Sequence, residues 1–191
     1  TESVGGVVSG ELVQSGIMSV LLAVGAVLFY IWIRFEWQFG LGAVIALVHD
    51  VILTVGMFSL TQLEFNLSII AAILTIVGYS LNDTVVVYDR IRENLGKFRK
   101  KEMPDLINFS LNETLARTVM TSVTTLLALV ALFYFGGEAI HGFTAAMIWG
   151  IFVGTYSSVF IASPVLLWFE LRREPEEKAE DGKEYIPEQF R

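Results

Sequence analysis

The sequence predicts an all-α fold, a polytopic membrane helix bundle, and three observations carry that prediction. Hydrophobic residues fill 54% of the 191 positions and charged residues only 17%, where a soluble domain carries about a quarter charged. Five stretches are apolar over the roughly 20 residues that a bilayer crossing requires. All 13 Lys and Arg residues fall on one side if those five stretches alternate across a membrane. A lipid-exposed backbone must satisfy its own hydrogen bonds, so such spans are read as helices.

The elements follow in order. Residues 1–16 read as a lead-in, the end of a domain lying upstream. The bundle occupies residues 17–169. Its first span, 17–33, has no basic flank before it and no small-residue cleavage site after it, so it is not a signal peptide. The second span, 40–60, carries His49 and Asp50 at its centre. The third, 67–88, opens with "NLSIIAAILTIVG" and carries Asp83. Residues 89–117 read as a long basic loop, broken by Gly96 and Pro104 and containing a short interfacial helix. This loop is either a topological anchor or a docking surface. The fourth span, 118–135, ends at Gly136-Gly137, a turn signal. The fifth, 143–169, contains "GIFVG", in which Gly150 and Gly154 allow another helix to approach closely. Residues 170–191 are charged and poor in apolar groups, and disorder is expected.

Orientation comes from the bases. They are Arg34, then seven between Arg90 and Arg117, then five from Arg172 onward. The opposite side holds Glu2, Glu11, Glu64 and Glu138 and no base. The basic side is therefore expected to be cytoplasmic, with the N-terminus outside and the C-terminus inside. An outside N-terminus without a signal predicts at least one further membrane segment upstream.

Several classes are disfavoured. There is no cysteine, which removes disulfides and cysteine chemistry. No metal spacing and no Ser–Lys pair is present, so no catalytic residues, cofactor or metal site are assigned, and an enzyme is not expected. The net charge is −7, but eight of the 20 acids follow Trp168. Net charge thus points to no partner, and nothing suggests nucleic acid.

The chemistry lies in polar residues inside the spans. Asp83 sits about 16 residues into its helix and roughly 9 Å from Asp89. An acid at that depth costs about 2–3 kcal/mol on insertion scales, so it should face the protein interior. Tyr79 and Ser80 share its face, and Asn82 adds an amide. Burial opposes ionisation and a nearby cation favours it, so such a group can take and release a proton as its neighbours move. The obvious cation is Arg117, at similar depth in the fourth span. Two alternatives stand for it: snorkelling to headgroups, or pairing with Glu113 one turn earlier. Thr114, Thr121, Thr124 and Thr125 form a stripe on its face that could line a thin water path. His49 and Asp50, near the midplane of their span, fit either an interhelical hydrogen bond or a proton relay.

The run "GYSLNDTVVVYDRIREN" resembles the signature of the SecF family of the bacterial protein-export machinery. The resemblance continues in "IRFEWQFGLGAVIALVHDV", "NETLARTVMTSVTTLLALVALFYFGG" and "GFTAAMIWGIFVGTYSSVFIASPVLL", and covers nearly all of residues 12–170. Where that family often has Val-Gly-Pro, this chain has Val4-Gly5-Gly6. The resemblance implies the last five of six membrane helices, and half of a transporter unit of the resistance-nodulation-division type. SecD would supply the other half. It implies a multi-pass protein of the bacterial inner membrane. That protein would work with SecD and the SecYEG channel, using protons as coupling ion, on unfolded preproteins late in export. It places the coupling acid at Asp83 and the coupling arginine at Arg117. Two other readings remain: a passive scaffold for SecD, and a small-molecule efflux protein of the same superfamily.

Overall fold

The structure, a computed structural model, describes residues 6–34, 36–62, 67–169 and 171. Every regular element among them is a helix. α1 spans Gly6–Arg34, α2 Trp37–Thr61, α3 Leu67–Lys97, α4 Met103–Phe135 and α5 Glu138–Ser157. α5 runs on through a π-helical turn at Ser158–Ala162, an α-turn at Ser163–Val165 and a 3₁₀ turn at Leu166–Trp168. α2, α3, α4 and the α5 segment through Trp168 are long and apolar enough to cross a membrane. Among the described residues α1 offers a shorter apolar stretch, Gln14–Ala23. Of the expected tail only Leu171 is described, and it is buried in the core; residues 1–5 and Glu64 lie outside the described residues.

The expected loop at 89–117 is corrected. α3 continues to Lys97 and α4 begins at Met103, so only residues 98–102 connect them. Hydropathy stops at the first charges, but the helices do not, because the charges are satisfied on their surfaces. Arg90 Nη1 donates to Glu93 Oε2 at 2.6 Å and Lys97 Nζ donates to Glu93 Oε1 at 2.6 Å, pairs three and four residues apart on one helix face. Across the hairpin, Arg90 Nε lies 2.9 Å from Glu113 Oε2. Asn94 Nδ2 donates to Ser110 Oγ at 2.9 Å and to Glu113 Oε2 at 2.7 Å. Phe98 meets Phe109 edge-on at 5.3 Å, with the Lys101 ammonium 4.1 Å from the Phe109 ring centre. Pro104 occupies the first turn of α4, where its missing N–H has no intrahelical partner to lose.

The lead-in is also corrected in part: residues 6–16 belong to α1, and Gly16 lies so close to α3 that a Cβ there would overlap Ile70. α2 ends at Gln62, in the left-handed region at φ 54, with its N–H on Phe58 O at 3.0 Å. Gly137 enters α5 at φ 78, a conformation that glycine adopts without the clash of a Cβ.

α3 is the central helix. One apolar cluster gathers Phe39, Tyr88, Ile91, Leu95, Leu106 and Leu166 toward the basic end. A second gathers Phe58, Ile69, Ile73, Leu129, Met147 and Ile151 toward the other end. Between them lies a buried polar waist of Asp50, Ser80, Asp83, Thr84, Thr118, Ser122, Ser157 and Ser158. α5 seats closely on α3 because a Cβ at Gly150 would overlap Ile76, and one at Gly154 would stand 3.0 Å from the Ser80 Cβ. Among the four membrane-length helices α4 is the least covered: 17% of its apolar window is buried, against 39–56% in the other three.

Candidate functional site

The waist is built at the middle of each helix. Asp50 stands near the midpoint of α2, Asp83 of α3 and Arg117 of α4. Asp50 is 0% exposed. Its Oδ2 accepts hydrogen bonds from Ser80 Oγ of α3 at 2.5 Å and from Ser157 Oγ of α5 at 2.8 Å. Its Oδ1 lies 3.0 Å from His49 Nδ1. One carboxylate therefore joins three helices. His49 is only partly covered, 27% exposed, and its ring lies 6.4 Å from that of Tyr156 on α5.

Two further rungs continue along the α3–α5 seam at four-residue spacing. Thr84 Oγ1 and Ser158 Oγ share a hydrogen bond at 3.0 Å, and Tyr88 Oη donates to Ala162 O at 2.9 Å. Ala162 closes the π turn, and the Leu166 N–H, which in a regular α-helix would bond Ala162 O, goes to Pro164 O and Ser163 O instead. Gly42 of α2 gives the room: a Cβ there would overlap the Tyr88 hydroxyl.

Asp83 lies on another stripe of α3. Tyr79, four residues before it, donates to Thr125 Oγ1 at 3.4 Å. Arg90 and Asn94, after it, reach Glu113 and Ser110. This antiparallel register sets Asp83 opposite the stretch of α4 that holds Arg117 and Thr121. Asp83 is 4% exposed and its Oδ2 has no hydrogen-bond partner. The Arg117 guanidinium is near enough for its charge to act on the Asp83 carboxyl, yet no hydrogen bond or ion pair joins them among the described residues. Arg117 is exposed on its helix. A buried carboxylate oxygen without a donor is costly, so this arrangement leaves unused binding capacity at the middle of α3.

The remaining residues chosen from the sequence are placed as follows. Tyr79 is half-buried, whereas Asn82 is exposed and points away from the waist. Thr121, Thr124 and Thr125 do not form a chain of hydroxyls. They bond back to their own helix, on Thr118 O at 2.9 Å, Met120 O at 2.8 Å and Thr121 O at 2.8 Å. Ser80, read as a neighbour of Asp83, belongs to Asp50. Thr118 was missed: it is 1% exposed and its hydroxyl is unpartnered. The pair Ser122–Thr155, 2.7 Å apart between α4 and α5, was missed too. Thr84, Ser157 and Ser158 were not singled out, and only the four-residue spacing of Ser80, Thr84 and Tyr88 could have pointed to them. Among the described residues no three His, Cys, Asp or Glu side chains converge as a metal site would need.

The family model described as protein export membrane protein SecD/SecF, C-terminal, matches residues 1–172. A protein translocase subunit SecF from Rhodobacter capsulatus is 58% identical over 182 residues, covering 95% of this chain and 55% of that protein. One from Rickettsia felis is 57% identical over 170 residues, covering 89% of this chain and 55% of that protein. The chain thus spans about half the length of the curated relatives it matches. Among solved structures, SecDF, a translocon-associated membrane protein from Thermus thermophilus, superposes with a TM-score of 0.82 at 48% identity, over 86% of this chain and 23% of that one. SecDF in a super-membrane-facing form gives 0.78 at 47% identity, over 87% and 22%.

Proposed function

The chain belongs to the SecD/SecF family of protein-export membrane proteins, and from that membership we propose that it is the proton-coupling membrane part of a Sec translocase subunit. It works with SecD, as a separate or fused chain, beside the SecYEG channel in the bacterial inner membrane. Its basic end faces the cytoplasm. Its substrate is an unfolded preprotein, drawn out late in export. The role is transport, as the names of its relatives suggest, and not catalysis.

The observation that carries this reading is Asp83: buried at mid-membrane, with an unpartnered oxygen and an arginine near but unbonded. A proton arriving from outside neutralises Asp83 and weakens its attraction to Arg117. α3 and α4 then repack, and loss of the proton to the cytoplasm resets them. Each elementary charge crossing 100 mV supplies about 2.3 kcal/mol, enough for one or two protons to bias a two-state rearrangement. The passive-scaffold reading treats Asp83 and Arg117 as an assembly clamp. The absence of a bond between them argues against it.

The test is Asp83→Asn in the full-length complex, read as preprotein release from membrane vesicles with and without a proton gradient. Assembly should persist and the gradient should lose its effect. A variant that responds to the gradient like the parent would leave the scaffold standing.

A further inference from the structure

We infer that Asp50 is a positioning residue for Asp83: its carboxylate, held by Ser80 of α3 and Ser157 of α5, fixes the rotation of α3 that aims Asp83 at α4. The inference rests on the proton-coupling reading, and deepens it by naming what sets the geometry of the coupling acid.

Stability does not explain Asp50. A fully buried carboxylate loses its hydration, and a well-packed apolar residue of similar size commonly serves a fold as well or better. What the carboxylate supplies is direction. It gathers two hydroxyls from two helices onto one oxygen. Ser80 is three residues before Asp83, so anything that fixes Ser80 fixes Asp83 about 60° around the helix and about 4.5 Å along it. Gly154 deepens the hold, since a side chain there would press on Ser80. The two later rungs, Thr84–Ser158 and Tyr88–Ala162, lie on the same seam. Together they bind every buried polar side chain on that face of α3. Among the buried polar groups of α3, Ser80, Thr84, Tyr88 and Asn94 hold partners, and Asp83 Oδ2 does not. Of the titratable and charged groups, His49 meets Asp50 directly on α2, Tyr156 of α5 lies against the His49 ring, and Asp83 of α3, three residues from Ser80, has Arg117 of α4 as its nearby charge.

The test uses the full-length complex in de-energised membranes. Dicyclohexylcarbodiimide labels protonated buried carboxyls, and its attachment to Asp83 is followed by peptide mass spectrometry across pH. Asp50→Ala removes the acceptor of both serines and should move the labelling midpoint by about one pH unit. The double variant Ser80→Ala, Ser157→Ala keeps Asp50 but cuts its two ties, and should reproduce at least half of that shift. Ser80→Thr keeps a hydroxyl and should retain the parental midpoint. An unmoved midpoint in Asp50→Ala overturns the inference. So does a shift in Asp50→Ala that the double variant lacks, because Asp50 would then act by a route other than its two ties. If Asp50→Ala does not assemble, the double variant against Ser80→Thr decides the matter. No gradient is present, so a failure here is separate from a failure of Asp83 to drive export.

Discussion

Glu113 is bonded to Arg90 of α3, 2.9 Å from its Nε, and not to Arg117 one turn along its own helix. The acid that could have neutralised Arg117 is spent on the hairpin. The charge of Arg117 therefore stays available to Asp83.

This division of labour predicts that Glu113→Gln leaves gradient-dependent export largely intact. Both partners are about one-third exposed, so solvent screens the pair and the loss in stability should be small. Thermal unfolding of the purified complex and vesicle export measure the two effects. Export as poor as in Asp83→Asn would refute the separation of the hairpin pair from the coupling pair.

Arg117→Lys should impair export far more than conservation of charge suggests. A planar fork that can reach a carboxylate with two donors is replaced by a compact, strongly hydrated ammonium. Near-parental activity would mean that charge alone suffices at this site.

The chain has no cysteine, so single cysteines can report topology on a clean background. A cysteine at Glu138 should react with an impermeant thiol reagent in intact cells, and one at Lys100 only after lysis. Equal labelling of both would sink the orientation taken from the bases.

Gly150→Ala would press a methyl group into Ile76. Overpacking of this kind costs about 1–3 kcal/mol. Ile76→Ala in the same chain should recover much of the loss, and a double-mutant cycle in thermal stability would show it. Independent, additive losses would mean that the two residues do not meet.

The sequence showed Asp83, Arg117 and Asp50 because a charge in an apolar run is conspicuous. It did not show Ser157, Ser158, Thr84 or Thr118, since small hydroxyl residues are ordinary in membrane helices and gain meaning only from the helix they face. Helix ends were misjudged for a related reason. Hydropathy reports where lipid would be, whereas Arg90, Glu93 and Lys97 keep α3 helical beyond that limit by pairing with one another. The π turn had a single local sign, Pro164, which by itself does not distinguish a kink from a π turn.

The long α3–α4 hairpin gives the waist a lever arm. From Asp83 to Lys97 is about 21 Å at 1.5 Å per residue, and over that length the two helices are cross-tied by Arg90–Glu113, Asn94–Ser110 and Phe98–Phe109. Cross-ties of this kind would make the pair move as one body. A tilt of about 5° at Asp83 would carry the hairpin tip about 2 Å sideways by simple geometry. The protonation of one buried carboxyl would thus register as mechanical displacement far from the charge, where labels at Lys97 or Lys100 could read it.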